Sequence, residues 1–322
     1  MLSISYNLSW RLKDTLGKIE NLRALIALAP ISPKTKLKLR WEAMLNRIYY
    51  SLRLSGNPLE RADVIRLLGK SNLKKIQKSE PASPKRQRGE QDVIRYKRAL
   101  DYLLENWLGE NKPVRSDDLI TLNAIIGSGK LSTKRQELQN LLDYLQARQE
   151  NPIIQSAIIN IELSKMRAFT DKNESFSLLA PYLFLYKAGF DFRRLVAVET
   201  EFWQDHNFYK QNYNLAINAS TLTFWLEYFA KSILTQLEKI YQSITKPTYV
   251  LKEMPESFFE LNDRQKSILN MLDKPDGSIT NRLIQKAYKV SQVTASRDLA
   301  KLTTLGFLFS HGKGRSVFYT KI

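Results

Sequence analysis

Cysteine is absent from this 322-residue chain, and histidine occurs only twice, at His206 and His311. No disulfide and no thiolate metal site can therefore form, and two histidines so distant in sequence do not suggest a histidine-built one. The missing cysteine suits a reducing compartment. No run approaches the roughly 20 apolar residues of a membrane span, and the N-terminus lacks the apolar core of a signal peptide. These absences predict a cytoplasmic protein with no membrane contact and no metal site. Acidic residues are also in deficit, 32 against 50 Lys and Arg, for a net charge of +18. Such an excess favours polyanionic partners, nucleic acid above all.

What is present is enough for a folded core: 43% of residues are hydrophobic and 11% aromatic, the composition of a globular chain long enough for two domains. The charge is unevenly placed. Residues 1–135 hold 27 basic and 13 acidic side chains, residues 136–260 hold 12 and 15, and residues 261–322 hold 11 and 4. Positive ends thus flank a near-neutral middle. Within the first stretch, Lys85, Arg86, Gln87 and Arg88 follow a Ser/Pro-containing run and read as a loop, either a solvated linker or a second phosphate-contacting patch.

Before residue 245 the pattern is helical. Apolar residues recur at i, i+3 and i+4 over 36–54, 59–68, 92–108, 135–149, 153–166, 176–188, 196–215 and 222–243, with Pro or Gly between several of these segments. Trp203, Tyr209, Tyr213, Trp225 and Tyr228 fall at helical spacings that suit a core. Residues 244–260, with Pro247 and Pro255, read as a linker.

The C-terminal 261–322 reads differently. Asn262 or Asp263 opens a helix burying Ile268, Leu269 and Leu272, and a second helix from about Thr280 to Tyr288 buries Leu283, Ile284 and Ala287. Ser291 then caps a third, with Val293, Leu299, Leu302 and Leu305 as its buried stripe and Gly306 as its stop. Two β-rich runs, 307–309 and 317–319, flank a Gly-Lys-Gly-Arg tip. Three helices and a hairpin in this order spell a winged helix-turn-helix. In that arrangement Gln292, Thr294, Ser296, Arg297 and Lys301 face the DNA major groove, while Lys313 and Arg315 on the wing reach phosphate or the minor groove.

The segment from Arg167 to Leu178, Arg-Ala-Phe-Thr-Asp-Lys-Asn-Glu-Ser-Phe-Ser-Leu, follows an apolar helix and precedes another. It resembles the Fic/Doc (Fido) family of AMP-transferring enzymes, whose motif HPFxxGNGRxxR it matches in length without a gap. Other landmarks agree in order. Ser51 to Asn57 is similar to the family's inhibitory segment S-x-x-x-E-G-N, residues 92–103 to the helix that follows it, and residues 208–215 and 222–229 to the closing helices of larger bacterial members, which often end in a winged helix. The resemblance therefore covers nearly the whole chain. It implies a mainly α architecture: an N-terminal helical region at 1–90, a Fic-like α-helical core at 91–243, the linker at 244–260 and the winged helix at 261–322.

What the resemblance implies for activity runs the other way. Phe169, Asp171 and Asn173 keep the family's residue types. Arg167 stands where the family has its general base, and a guanidinium stays protonated at physiological pH. Lys172 and Glu174 replace the two glycines that let the loop wrap phosphates, and Ser175 and Leu178 replace both motif arginines. Ser55 replaces the inhibitory glutamate, so both members of the regulatory ion pair are missing together. Only about eight residues separate the helix near 119–126 from the one at 135, too few for the family's target-docking β-hairpin flap.

The resulting expectation is a Fic-like pseudoenzyme with no catalytic residues and no cofactor, regulating transcription by binding DNA through its winged helix. Its helical body would dimerise or bind a protein or small ligand. Two alternatives stand beside it: residual or altered nucleotide transfer, with ATP and Mg, and a protein-interaction scaffold.

Overall fold

The computed structural model describes residues 4–69, 83–147, 150–245, 261–272, 277–305, 307–312 and 317–321. The chain is mainly α and splits into two compact units, one of Met1–Ile31, Glu42–Leu68 and Lys74–Tyr249, the other of Ser32–Trp41, Gly69–Leu73 and Val250–Ile322. Most of the expected linker, from residue 246 on, lies outside the described residues.

In the first unit the helices are α1 (Trp10–Leu28), α2 (Pro33–Leu54), which enters this unit at Glu42, α3 (Arg61–Gly69), α4 (Pro84–Trp107), α5 (Ser116–Ile126), α6 (Arg135–Ala147), α7 (Pro152–Met166), α8 (Asn173–Leu179), α9 (Pro181–Lys187), α10 (Glu199–Gln204), α11 (His206–Asn218) and α12 (Thr223–Thr245). At the centre is α7. Nearly all its residues from Ile153 to Ser164 are buried, so it packs on every side, as a helix apolar all round must. Its neighbours are α6, α8, α9, α11 and α12. The Trp225 indole N–H donates to the Ala157 carbonyl at 2.9 Å and ties α12 to it.

Two long helices read from the periodicity are interrupted. Residues 176–188 break between α8 and α9 because Pro181 has no N–H to give the Ser177 carbonyl. That carbonyl instead accepts from Asn160 Nδ2 at 2.7 Å, and Ser156 Oγ donates to the Pro181 carbonyl at 3.0 Å, so the break is stapled to α7. Residues 196–215 divide into α10 and α11 at Asp205, whose carboxylate accepts from the Phe208 N–H and starts a new helix. In the other direction, Lys85 to Arg88 are helical rather than a loop. Ser83 accepts from the Arg86 N–H and Pro84 fills the first turn, so α4 begins eight residues before the start at 92 that its periodicity indicates.

The second unit contains α13 (Asp263–Met271), β1 (Ser278–Thr280), α14 (Asn281–Tyr288), α15 (Gln292–Thr304), β2 (Leu308–His311) and β3 (Phe318–Lys321). The strands form an antiparallel sheet in the order β1-β3-β2, with Tyr319 opposite both Ile279 and Ser310. The core is Ile268, Leu269, Leu272, Ile279, Ile284, Ala295, Leu299, Leu302 and Leu308. The capping assignments hold: Asn262 caps α13 in a box with Gln265, and Ser291 accepts from the Thr294 N–H.

Three residues expected in this core are not there. Val293 is 58% exposed, because the buried stripe of α15 runs Ala295, Leu299, Leu302 and a residue two places before Ala295 lies about 200° round the helix. Leu283 and Ala287 are exposed for a similar reason, since α14 turns Ile284 inward with Tyr288 beside it. The two strands of the hairpin lie one to two residues later than their β-rich runs, and β1 is too short to read from sequence. Gly306, Lys313 and Arg315 lie outside the described residues.

Candidate functional site

The α7–α8 connection lines a cleft of about 480 Å³, bounded by Leu52, Ser55, Asn57 and Asp92 on one side and by residues 167, 169–175 on the other. The loop begins where Arg167 takes the left-handed conformation (φ 45°) at the end of α7 and closes where Lys172 does the same (φ 55°) before α8. Such backbone favours glycine, and a side chain there costs free energy. Lys172 offsets that cost with an ion pair: its ammonium lies 2.6 Å from Asp92 Oδ1 and 2.7 Å from Oδ2, on α4.

The remaining loop side chains are also engaged. Asn173 accepts from the Phe169 N–H at 3.2 Å and donates to the Leu163 carbonyl at 3.3 Å, closing the loop on itself. Asp171 accepts from the backbone N–H and hydroxyl of Ser128, at 3.1 and 2.7 Å. Ser175 is buried and donates to the Lys172 carbonyl; Leu178 is buried. Phe169 packs edge-on against Phe176 with ring centres 4.7 Å apart. Arg167 and Glu174 are exposed, Glu174 in the first turn of α8. Ser55, half-buried, donates to the Ser51 carbonyl.

The segment 127–134 lies alongside the loop. Its only bridge is Leu131 opposite Phe169, with the Thr170 N–H donating to the Lys130 carbonyl and the Ser132 N–H to the Ala168 carbonyl, both at 3.0 Å. Gly129 turns it (φ +69°), and a Cβ there would sit 2.9 Å from that of Ala124. This segment therefore braces the loop instead of extending as a hairpin.

Beneath the cleft α2 carries a buried polar network that sequence reading missed. Ser51 receives the Tyr96 hydroxyl at 2.9 Å and donates to Glu199 Oε1 at 3.1 Å; Tyr182 donates to Glu199 Oε2 at 2.8 Å. Arg47 stacks 4.1 Å over the Tyr182 ring and donates to the Tyr186 hydroxyl. Burial pushes the Glu199 carboxyl up to about 6, with Arg47 opposing.

In the second unit, Gln292, Ser296 and Arg297 are exposed on α15, while Thr294 and Lys301 are half-buried. Sequence reasoning missed Val293, which is exposed, and Asn281, whose amide donates to the Gln292 carbonyl at 3.3 Å and to Ser296 Oγ at 2.7 Å. It also missed Asp92 as the partner of Lys172. Polar helix positions with no fixed spacing to their partners give no sequence signal for such contacts.

A buried central helix whose exit loop, braced from one side, opens on a cleft defines a mainly α protein with an interhelical loop as its candidate site. The fold is the Fic fold. A Fic family protein from Desulfovibrio desulfuricans G20 matches 100% of this chain over 98% of its own length, with a TM-score of 0.61 and 15% identity. The 134–508 fragment of Fic-1 from C. elegans matches 74% of this chain and 74% of its own length (TM-score 0.58, 19% identity). A Fic domain containing signaling protein from Bacteroides thetaiotaomicron VPI-5482 matches 76% of this chain over 100% of its length (TM-score 0.57, 15% identity). No protein-family model matches the sequence, and no curated protein matches it. No helix among the described residues is long and apolar enough to cross a membrane.

Proposed function

We propose that this chain is a DNA-binding regulator in which a Fic fold no longer transfers nucleotides. The observation that carries the reading is α15: a capped helix, seated on a three-helix, three-stranded unit, that turns Gln292, Val293, Ser296 and Arg297 outward at its N-terminal end. A winged helix presents that end of its third helix to base edges in the major groove. The charge of 261–322, eleven Lys or Arg against four Asp, suits the phosphate backbone. Lys313 and Arg315, which follow β2 in the sequence and precede β3, are assigned to phosphate or the minor groove.

The cleft supports the other half of the proposal. Arg167 cannot accept a proton at neutral pH. Lys172 spends its charge on Asp92, and Asn173 spends its amide on the loop's own backbone. Glu174 brings a carboxylate to the first turn of α8, where unpaired N–H groups would otherwise favour a phosphate. The lining holds Arg167 and Lys172 against Asp92, Asp171 and Glu174, so two cations face three carboxylates. These residues do not suit a bound triphosphate with Mg.

The test has two arms. Titration of a fluorescent duplex across a range of salt is expected to show binding that weakens steeply as salt rises. Arg297→Ala should cost specific binding about 1–3 kcal/mol and non-specific binding less, whereas Lys313→Ala and Arg315→Ala should lower both and each reduce the salt slope by about 1. Three variants that bind like the parent would overturn the docking geometry, and no salt-dependent binding at all would favour a protein scaffold. In the second arm, labelled ATP is expected to leave the chain and a cell lysate unlabelled. Robust transfer abolished by Asn173→Ala would restore the enzyme reading.

A further inference from the structure

Among the described residues of the second unit Val293 is the most exposed large apolar side chain, at 58% against 38–42% for Met271, Leu283, Phe309 and Phe318. It sits in the first turn of α15, and Ser296 and Arg297, three and four residues on, share its side of the helix. The hydroxyl of Ser296 is oriented by its neighbours. Asn281 Oδ1 accepts from Gln285 Nε2, which leaves the Asn281 amino group to face the Gln292 carbonyl and Ser296 Oγ. Ser296 Oγ is therefore an acceptor toward Asn281, and its proton is left to donate outward.

An apolar branched side chain next to an outward hydroxyl donor is a specific chemical pattern. In the major groove thymine presents a 5-methyl group beside the O4 acceptor, and no other base presents both. We propose that Val293 and Ser296 together select a thymine: Val293 packs on the methyl group while Ser296 donates to O4. Asn281 is the positioning residue that sets the polarity of Ser296. The inference rests on the DNA-binding reading and goes beyond it by naming a base and the two side chains that read it.

The full-length protein is used to select from duplexes with a random core of about 20 base pairs. In the recovered site each thymine is replaced singly by deoxyuridine, which removes only the methyl group. For the parent, one thymine per half-site is expected to lose about fourfold in affinity on replacement, the worth of one buried methyl. Val293→Ala should bind the thymine and deoxyuridine duplexes equally, and Ser296→Ala should weaken both alike. Because Val293 is exposed, its replacement leaves the fold intact, checked by thermal melting. A recovered site indifferent to every deoxyuridine, or a Val293→Ala variant that keeps the fourfold loss, overturns this inference and leaves DNA binding standing. So does DNA binding with no sequence preference. Absence of any DNA binding overturns the functional reading itself.

Discussion

Lys172 holds a left-handed backbone (φ 55°), a conformation that favours glycine, and its ion pair with Asp92 is what compensates the strain. Asp92→Asn should therefore destabilise the protein by about 1 kcal/mol, and adding Lys172→Gly to that variant should restore about the same amount by relieving the Cβ conflict. Urea unfolding of the two variants checks this; no recovery in the double variant would mean that the backbone stores no strain there. Glu199 gives a second prediction at this scale. Its carboxyl titrates near 4.5 when unfolded and at about 6 when folded, because burial disfavours its charge. Between those values the folded state binds more protons, so this group's contribution to stability falls as pH rises from about 4.5 to about 6, by about 2 kcal/mol in total. Above pH 6 the loss is complete. Thermal midpoints measured across that window should show the decline in the parent, and Glu199→Gln should lack it.

At the scale of elements, the C-terminal unit depends on a joint between helices rather than on apolar contact alone. Asp298, buried on α15, accepts from Arg264 Nε at 2.5 Å and from Gln265 Nε2 at 2.8 Å, both on α13. Gln265 also receives the Asn262 N–H in the capping box, so one carboxylate orders the start of α13 and the middle of α15. Asp298→Ala removes two charge-assisted hydrogen bonds and should destabilise this unit by about 3 kcal/mol. Hydrogen exchange at the Leu299 and Leu302 amides is expected to speed up accordingly, while amides of α7 keep their protection. Unchanged exchange in α15 would show that the joint is dispensable. Elsewhere, α1 ends on a tertiary cap: Arg193, in a turn of three residues with positive φ, donates to the Ile26 and Ala29 carbonyls at 2.8 and 2.9 Å.

For the whole molecule, the proposed function predicts an oligomer. A single winged-helix module covers too little surface for tight specific binding, and two copies reading adjacent half-sites solve that geometrically. Equilibrium sedimentation at micromolar concentration is expected to give a homodimer; only monomer would count against it. On the same proposal the helical body makes that contact or binds a ligand or protein partner. Its fold matches Fic proteins over three quarters of the chain or all of it, at 15–19% identity.

Much of this was legible in the sequence. Periodicity locates α2, α6, α7 and α12 to within a few residues, the cap at Ser291 and a helix start at Asn262 or Asp263 are legible, and the alignment of positions 167–178 places the candidate loop. These are local signals: a helix needs only its own spacing and its own cap. The tertiary structure decided the rest. It broke 176–188 at Pro181 because Asn160 on another helix takes the freed carbonyl, it extended α4 through Lys85 to Arg88, and it turned Val293 outward because Ala295, two residues on, faces the core. It also paired Lys172 with Asp92, 80 positions away, and assembled Arg47, Ser51, Tyr96, Tyr182 and Glu199 into one buried network. Spacing along a chain carries the period of an element, but not which of its faces is covered, because that depends on partners that only packing brings together.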